Sequence, residues 1–320
     1  MNKTKVDVII PVYHPGKEFE KIIDRLEKQI YKVDHIILLH TRDGQSLENL
    51  KQKYNNIVIV EIEPEEFDHA ATRDKGIRIS WADIVICMTQ DACPDNDRLT
   101  EELVHALDND RIAVAYARQL PRKESTILER YTRQFNYPAE SREKRKSDLK
   151  DMGIKTYFCS DVCAAYNRKK YIENGGFVEK AIFNEDMLYA AKVIQNGESI
   201  YYNAEARVIH SHNYNFMQQF HRNFDMAVSQ AEHPEIFEGI SSEKEGMKLV
   251  KNTMKYLAHQ GKPWMIWKLF TDCVAKYSGY FLGKRYHRLP KKSHIKMYNE
   301  SAILEIKRKT HLKILKFRKK

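Results

Sequence analysis

Residues 6–16 read Val-Asp-Val-Ile-Ile-Pro-Val-Tyr-His-Pro-Gly, an apolar run that leads into a turn containing proline and glycine. Such a run predicts a buried β-strand followed by a turn. Helix-like and strand-like segments then alternate along the chain. They are helix 17–30, strand 35–39, helix 45–54, strand 57–62, helix 68–81, strand 82–88, helix 97–107 and strand 112–116. This alternation predicts a Rossmann-like α/β fold with a mostly parallel sheet flanked by helices.

The regular alternation ends near Arg118, and the following residues 122–151 are highly charged. Further elements are predicted beyond them. They are a strand over 156–166, a turn at 175–177, a helix over 184–195, a strand over 200–210 and a helix over 213–230. We therefore predict a main domain over residues 1–230 and a helical, basic extension over residues 231–320.

The positive charge of the chain is concentrated at its end. Residues 281–320 contain 14 Lys and Arg against two acidic residues, so they carry +12 while the whole chain carries +10. The residues before them therefore sum to −2. A basic terminus indicates an anionic surface as partner, either a bilayer or nucleic acid, and the plain alternative is a solvated tail.

Cysteines and the N-terminus bear on the compartment. The five cysteines show no Cys-x-x-Cys spacing, which argues against a zinc knuckle or a disulfide framework. The first residues lead directly into the predicted strand 6–12, without the charged and apolar regions of a secretory signal. Both observations favour the reducing cytoplasm.

The segment 264–282 predicts an amphipathic helix. Its charged residues Lys268, Asp272 and Lys276 lie four apart, and tryptophan, tyrosine and phenylalanine fill much of the rest. Three charges disfavour a membrane-spanning helix, so attachment to the membrane surface is favoured. Residues 302–320 repeat the pattern. Packing on the main domain or on a second copy of the chain, as in a homodimer, is the alternative.

Acidic residues follow two of the predicted strands, where open α/β sheets bind ligands. Asp43 precedes Gly44, and it is either an acceptor for a nucleobase or ribose or part of a common Asp-Gly turn. Gln90 and Asp91 follow strand 82–88. The Asp91 carboxylate suits a hard divalent cation on a diphosphate, and the alternative is a cap on the next turn.

Three further groups of residues are candidates for binding or catalysis. Arg73 lies on helix 68–81, where it can contact phosphate or simply face solvent. Glu185 and Asp186 begin a predicted helix. Either one of them is a general base that the other orients, or both only stabilise the helix through its dipole. His210 and His212 share one side of an extended strand, which suits a metal ligand pair in a transferase or in a hydrolase.

Taken in order, these residues resemble the inverting family 2 glycosyltransferases of the GT-A fold, over about residues 5–228. Several motifs further resemble the rhamnosyltransferase-type branch. They are Phe67-Asp68-His69, Thr72-Arg73, Thr89-Gln90-Asp91-Ala92, Arg118-Gln119-Leu120-Pro121, Phe135-Asn136-Tyr137-Pro138 and His210-Ser211-His212-Asn213-Tyr214. The motif Gly175-Gly176-Phe177 belongs to the general family resemblance. Where the family usually has two acids around one residue, this chain has only Asp91.

The resemblance implies a nucleotide-sugar donor, best dTDP-L-rhamnose or alternatively a UDP-hexose, and a glycan or lipid-linked acceptor. Asp186 would be the general base beside Glu185, and Asp91 would hold Mg²⁺ or Mn²⁺ with His210 or His212. The implied nucleotide contacts are Pro11, Val12, Tyr13, Asp43, Arg73, Gln90 and Asp91. The enzyme would lie in the cytoplasm, attached peripherally to the inner face of the membrane.

Three other functions fit parts of the sequence. One is a nucleotide-sugar-binding protein with a degenerate site, against which the joint presence of Asp43, Asp91 and Asp186 argues. The others are a nucleic-acid-binding protein that uses the basic tail and a metal-dependent hydrolase built on the two histidines. Nucleic acid is not the partner that we predict.

Overall fold

The computed structural model describes residues 3–179, 181–240, 243–290 and 297–298. The amphipathic segment predicted at 302–320 lies outside these residues. Within them the strands are β1 (Val6–Val12), β2 (His35–Thr41), β3 (Ile57–Ile62), β4 (Ile84–Met88), β5 (Cys93–Pro94), β6 (Ile112–Leu120), β7 (Arg142–Lys144), β8 (Cys163–Asn167) and β9 (Ser199–Ile209).

The helices of the same residues lie between and after these strands. They are α1 (Phe19–Glu27), α2 (Glu48–Lys53), α3 (His69–Ile79), α4 (Leu99–Ala106), α5 (Ile127–Asn136), α6 (Leu149–Met152), α7 (Arg168–Glu173), α8 (Glu185–Gln195), α9 (Phe216–Glu232), α10 (Pro234–Phe237), α11 (Glu243–His259) and α12 (Ile266–Gly283). Among them, no helix is both long and apolar enough to cross a membrane.

All described strands join one mixed sheet in the order β3-β2-β1-β4-β8-β6-β9-β5, with β7 pairing on β9. Strands β1 to β4 are parallel neighbours, and β6 and β9 are parallel to each other. β8 runs antiparallel to both β4 and β6. The predicted α/β fold with a mostly parallel sheet is therefore confirmed.

Helices cover both faces of the sheet, as the alternation of apolar side chains along each strand requires. On β1, Ile9 packs in a core with α3 and α8, while Val8 and Ile10 pack on the other face with α1 and α4. Gly76 lets α3 approach β1 closely, because a Cβ at this position would lie 2.6 Å from Cγ2 of Ile9. This contact fixes α3, which carries Arg73.

The strand predicted over 156–166 is wrong in its first half. Gly153–Thr156 forms a 3₁₀ helix, and β8 begins only at Cys163. Because β8 is reversed, its first residue pairs with Met88 at the carboxyl end of β4. The residues that precede β8 therefore lie at the same sheet edge as the loop that follows β4. That edge is where open α/β sheets bind ligands.

Candidate active site

The loops after β1 and β4 are joined by a pair of hydrogen bonds. The Tyr13 N–H donates to Oε1 of Gln90, and Nε2 of Gln90 donates to the Tyr13 carbonyl, both at 2.8 Å. Pro11 and Val12 end β1 directly before this link, and Tyr13 is 38% exposed. The structure thus brings these four predicted nucleotide contacts together, with the Tyr13 ring accessible.

Asp43 is held in the adjacent loop after β2, where its side chain is buried. It accepts hydrogen bonds from the N–H groups of His14 (2.5 Å) and Gln45 (2.8 Å), and Nε2 of His40 lies 3.2 Å from it. Burial alone would raise the pKa of Asp43, but these hydrogen bonds outweigh it and the pKa is lowered. Asp43 is therefore an ionised anchor that ties the β1 and β2 loops together.

Asp91, His210 and His212 converge on one point, and their ligand atoms all lie within 4.8 Å of one another. Oδ2 of Asp91 is 3.0 Å from Nε2 of His212 and 3.5 Å from Nε2 of His210. The two Nε2 atoms are 3.0 Å apart. Burial opposes ionisation of Asp91, yet the two neighbouring histidines lower its pKa overall. Two imidazoles and a carboxylate in this arrangement suit a divalent transition metal with open coordination positions.

Gln119 lies behind this cluster, and the sequence alone predicts no role for it. Its Oε1 accepts from Nη1 of Arg133 and lies 3.0 Å from Nδ1 of His210. Its Nε2 donates to the hydroxyls of Tyr137 (2.5 Å) and Ser160 (2.9 Å). Because arginine can only donate, the amide oxygen must face Arg133, and Nδ1 of His210 must then carry the proton. In the neutral ring, the lone pair of His210 therefore lies on its Nε2, which faces Asp91.

Arg73 is buried, with only 5% of its surface exposed, and lies among acidic side chains. Its Nη1 is 3.0 Å from Oε1 of Glu185, and its Nε is 3.6 Å from Oδ2 of Asp161. Burial would lower the pKa of Arg73, but the charges of Glu185 and Asp161 raise it above its usual value. In this structure the guanidinium is engaged by carboxylates, so a direct phosphate contact stays a prediction.

Asp186 lies in the first turn of α8, beside this network. Its Oδ2 accepts from the N–H of Asp161 at 3.0 Å, and its Oδ1 accepts from the N–H of Met187 at 2.7 Å. Burial and then the charge of Glu185 raise the pKa of Asp186 to about 7. Asn184, which precedes α8, has a left-handed backbone with φ of 66°. A carboxylate with a pKa near neutrality can accept a proton in a reaction and release it afterwards.

Asp161 is the acidic residue that the sequence reasoning missed. It is 3% exposed, it accepts a hydrogen bond from the Tyr166 hydroxyl at 2.5 Å, and burial raises its pKa well above the usual range. The available signal was an aspartate within an apolar run, since buried acids need partners. The adjoining Ser160 hydroxyl accepts from Gln119, so one network links His210 to the Asp161–Asp186 pair.

An open α/β sheet with a carboxylate–imidazole cluster and a second aspartate along its ligand edge is compatible with a transferase of the GT-A fold. The sequence profile of Glycosyl transferase family 2 matches residues 7–175. The chain belongs to the family 2 glycosyltransferases, and it is a glycosyltransferase by that membership.

Two curated relatives match most of the chain. The O-antigen chain rhamnosyltransferase WbaN of Salmonella anatum is 37% identical over 288 residues, which cover 88% of this chain and 90% of the relative. The O-antigen chain rhamnosyltransferase RfbN of Salmonella typhimurium is 36% identical over 290 residues, covering 89% and 91%. The family and branch expected from the motifs are thereby confirmed.

Solved structures share the fold at low sequence identity. The mannosyltransferase PcManGT of Pyrobaculum calidifontis, in complex with GDP-Man and Mn²⁺, has a TM-score of 0.57 at 14% identity, covering 95% of this chain and 84% of that one. Residues 1–349 of TarS from Staphylococcus aureus give 0.53 at 13% identity, covering 89% and 91%. These similarities support the GT-A architecture alone.

Proposed function

We propose that this glycosyltransferase moves L-rhamnose from dTDP-L-rhamnose, with inversion, onto a glycan or lipid-linked saccharide during cell-surface polysaccharide synthesis. The proposed reaction rests on one observation, the position of the Asp186 carboxylate at the ligand edge of the sheet, where the N–H groups of Asp161 and Met187 hold it. The sugar is supported by the two O-antigen rhamnosyltransferases that match most of the chain. A UDP-hexose is the alternative donor.

In the proposed step, Asp186 takes the proton from the acceptor hydroxyl as that oxygen attacks the anomeric carbon. The new glycosidic bond forms as the bond from sugar to diphosphate breaks, and the nucleoside diphosphate leaves with the bonding electrons. Hydrogen bonds from the N–H groups of Asp161 and Met187 hold the Asp186 carboxylate in place. Arg73 offsets the negative charge of Glu185 nearby.

A divalent cation fits the cluster of Asp91, His210 and His212. Its donor set, two neutral imidazoles and one carboxylate, favours Mn²⁺ over Mg²⁺, because Mg²⁺ prefers oxygen ligands. Such an ion would offset the charge of the departing diphosphate. Three protein ligands would leave positions for phosphate oxygens, so the absence of a second acid beside Asp91 is compatible with metal binding. The structure of the mannosyltransferase PcManGT, which has a similar fold and contains Mn²⁺, supports the proposal of a divalent cation in general terms.

The nucleoside would lie along the β1, β2 and β4 loops, near Tyr13, Asp43 and Gln90. The hydrogen bonds between Tyr13 and Gln90 and those made by Asp43 hold these loops together before any ligand binds. A preorganised pocket lowers the entropy cost of binding. We place the reaction in the cytoplasm, at the inner face of the membrane, where a lipid-linked acceptor is presented.

Asp186→Asn tests the base. We expect its rate of rhamnosyl transfer to fall roughly a hundredfold or more, because general-base catalysis contributes about that much. Donor binding, measured by thermal shift with dTDP-L-rhamnose and Mn²⁺, should persist. Asp108→Asn, at an exposed aspartate after α4, is the matched control. A near-normal rate in Asp186→Asn would remove this residue from the base role.

The same thermal-shift panel, extended to UDP-hexoses and run with and without Mn²⁺, identifies the donor. Stabilisation by dTDP-L-rhamnose alone is the expected result. Stabilisation by a UDP-hexose instead would change the sugar and leave the mechanism standing. Donor binding without any turnover, on any acceptor, would support a degenerate binding protein.

A further inference from the structure

The exposed face of α12 is lined with large apolar side chains. Its exposed fractions are 72% for Trp267, 56% for Phe270, 40% for Val274, 63% for Tyr277 and 42% for Phe281. These residues, which we call the aromatic stripe, are spaced three and four apart and so share one side of the helix. Exposed surfaces of this kind mark an interaction site.

The packing of α12 on α9 fixes this orientation. A Cβ at Gly279 would lie 2.2 Å from the Phe220 carbonyl oxygen, and one at Gly283 would lie 2.4 Å from that of Phe224. Ala275, one turn earlier, is fully buried. The small residues of α12 therefore face α9 at close range, and the aromatic stripe on the opposite side is turned away from the protein.

The charged residues of α12 lie on a different side of the helix from the aromatic stripe. Its charged residues Lys268, Asp272 and Lys276 share a row of their own, where Lys268 pairs with Asp272. The aromatic stripe itself is free of charged residues. This is the pattern of a helix that lies in the plane of a membrane interface, with aromatic rings at headgroup level.

Both ends of the aromatic stripe carry exposed basic residues. Lys262 precedes α12, and Arg285 and Arg288 follow it. The guanidinium of Arg285 lies 3.9 Å from the ring centroid of Phe281, at the edge of the stripe. If two copies of the chain paired through their stripes, basic residues of one copy would lie against basic residues of the other, whether the two helices ran parallel or antiparallel. An anionic surface matches both ends, and the net charge of +12 in residues 281–320 points the same way.

The register of α9 and α12 relates the stripe to the candidate active site. Gly279 lies against Phe220 and Gly283 against Phe224, so the two helices run in the same direction. In this register Trp267 extends roughly 12 Å beyond the first residue of α9, at 1.5 Å per residue. That end of α9 follows closely after His212. The aromatic end of α12 therefore projects from the end of α9 nearest the metal-ligand cluster.

We propose that the aromatic stripe of α12, with Lys262, Arg285 and Arg288, binds the surface of an anionic lipid bilayer and holds the active-site edge toward it. This surface names the partner for the function proposed above, on which its link to a lipid-linked acceptor rests. The binding itself needs neither donor nor acceptor, so the two proposals can fail separately.

Vesicle sedimentation of the full chain tests the inference. Wild type should sediment with phosphatidylglycerol-rich vesicles, and less so at high salt. A Trp267→Ser, Phe270→Ser, Tyr277→Ser triple variant should lose affinity on the order of a hundredfold. Trp81→Ser, at a tryptophan that is 89% exposed outside the stripe, is the matched control and should bind as wild type.

Two further variants complete the design. Lys262→Gln, Arg285→Gln, Arg288→Gln should lose roughly tenfold or more on anionic vesicles. Trp267→Ser alone serves if the triple variant fails to fold by circular dichroism. Wild type that stays in the supernatant, or a folded stripe variant that sediments fully, overturns the inference. A wild-type dimer that the stripe variant converts to a monomer, without vesicle binding, would assign the stripe to a second copy.

Discussion

Asp186 has the environment of a base whose protonation changes near neutral pH. Burial and the charge of Glu185 disfavour its ionised form, while the N–H groups of Asp161 and Met187 stabilise it. The balance leaves its pKa at about 7. A carboxylate at the ordinary pKa near 4 would be ionised throughout the physiological range but would be a much weaker base.

This raised pKa predicts an acid limb in the pH profile of transfer. The base must be ionised to accept a proton, so kcat/KM should fall about tenfold per pH unit below about 7. Donor affinity, measured by thermal shift over the same range, should change far less. A kcat/KM that stays flat from about pH 5 to 8 would contradict the assignment, since an ordinary aspartate has its pKa near 4.

We infer that Gln119 is a positioning residue, because it contacts the cluster of Asp91, His210 and His212 only through His210. Its oxygen faces the donor-only Arg133 and so fixes the proton on Nδ1 of His210. Gln119→Leu removes this acceptor, and we expect Mn²⁺ affinity to fall about 10- to 100-fold. Free Mn²⁺ counted by electron paramagnetic resonance measures the loss without an activity assay.

The conservative variant Gln119→Glu keeps an oxygen in front of His210 and Arg133, and it should recover most of the Mn²⁺ affinity. A merely structural role would lower the melting temperature of Gln119→Leu without changing Mn²⁺ affinity in the folded protein. Unchanged binding in Gln119→Leu would therefore show that the His210 tautomer does not depend on this contact.

At the scale of elements, sequence reasoning recovered the parallel half of the sheet but began the strand predicted over 156–166 too early, since the reversed strand β8 begins at Cys163. Apolar periodicity locates strands, but it carries no information on their direction, which depends on how the chain returns to the sheet. The reversal of β8 places Asp161 at the ligand edge. Its contacts with Arg73 and Asp186 join residues far apart in the chain, so sequence spacing could not reveal them.

The candidate site was predictable where chemistry lies in a short motif. The two histidines two residues apart were recognised as a ligand pair, and they do meet Asp91. Gln119 could not be recognised from the sequence, because an amide has no chemistry that identifies it before its neighbours are known. Arg73 was predicted at phosphate, and its burial beside Glu185 emerges only from the packing of α3 against α8.

The contact between α9 and α12 makes a sharp prediction about two glycines. Gly279→Ala would place a methyl group 2.2 Å from the Phe220 carbonyl oxygen, so the helices must separate. We expect a loss of roughly 1–3 kcal/mol in the free energy of unfolding. Gly246→Ala is the matched control, since its Cβ would meet nothing within 4 Å and alanine favours the helix.

Chemical denaturation of both variants distinguishes the two outcomes. Gly246→Ala should gain roughly 0.5–1 kcal/mol, because glycine in a helix interior costs about that amount. Equal stability of Gly279→Ala and wild type would mean that α12 does not pack on α9 at this distance. The orientation of the aromatic stripe would then lose its structural basis.

At the scale of the whole molecule, we propose that the chain combines a catalytic edge of the sheet with a membrane-docking face on α12. Asp91, His210 and His212 follow β4 and β9 at the carboxyl edge of the sheet, and the hydrogen bond from Asp161 holds Asp186 at the same edge. From there α9 leads away and packs against α12. A lipid-linked acceptor diffuses in the plane of the bilayer, so an enzyme attached there meets it at a raised effective concentration. This higher effective concentration would lower the apparent KM for the acceptor and leave the rate of the chemical step unchanged.

This division predicts how the stripe variant behaves as an enzyme. With a soluble saccharide acceptor, the Trp267→Ser, Phe270→Ser, Tyr277→Ser variant should match wild type in kcat and KM, because these side chains are exposed on α12. With a lipid-linked acceptor in anionic vesicles, its apparent KM should rise on the order of a hundredfold, the range that effective concentration supplies. An equal loss of activity on both acceptors would place the defect of the variant in the active site. Activity equal to that of wild type on both acceptors would show that the stripe does not contribute to the use of a lipid-linked acceptor.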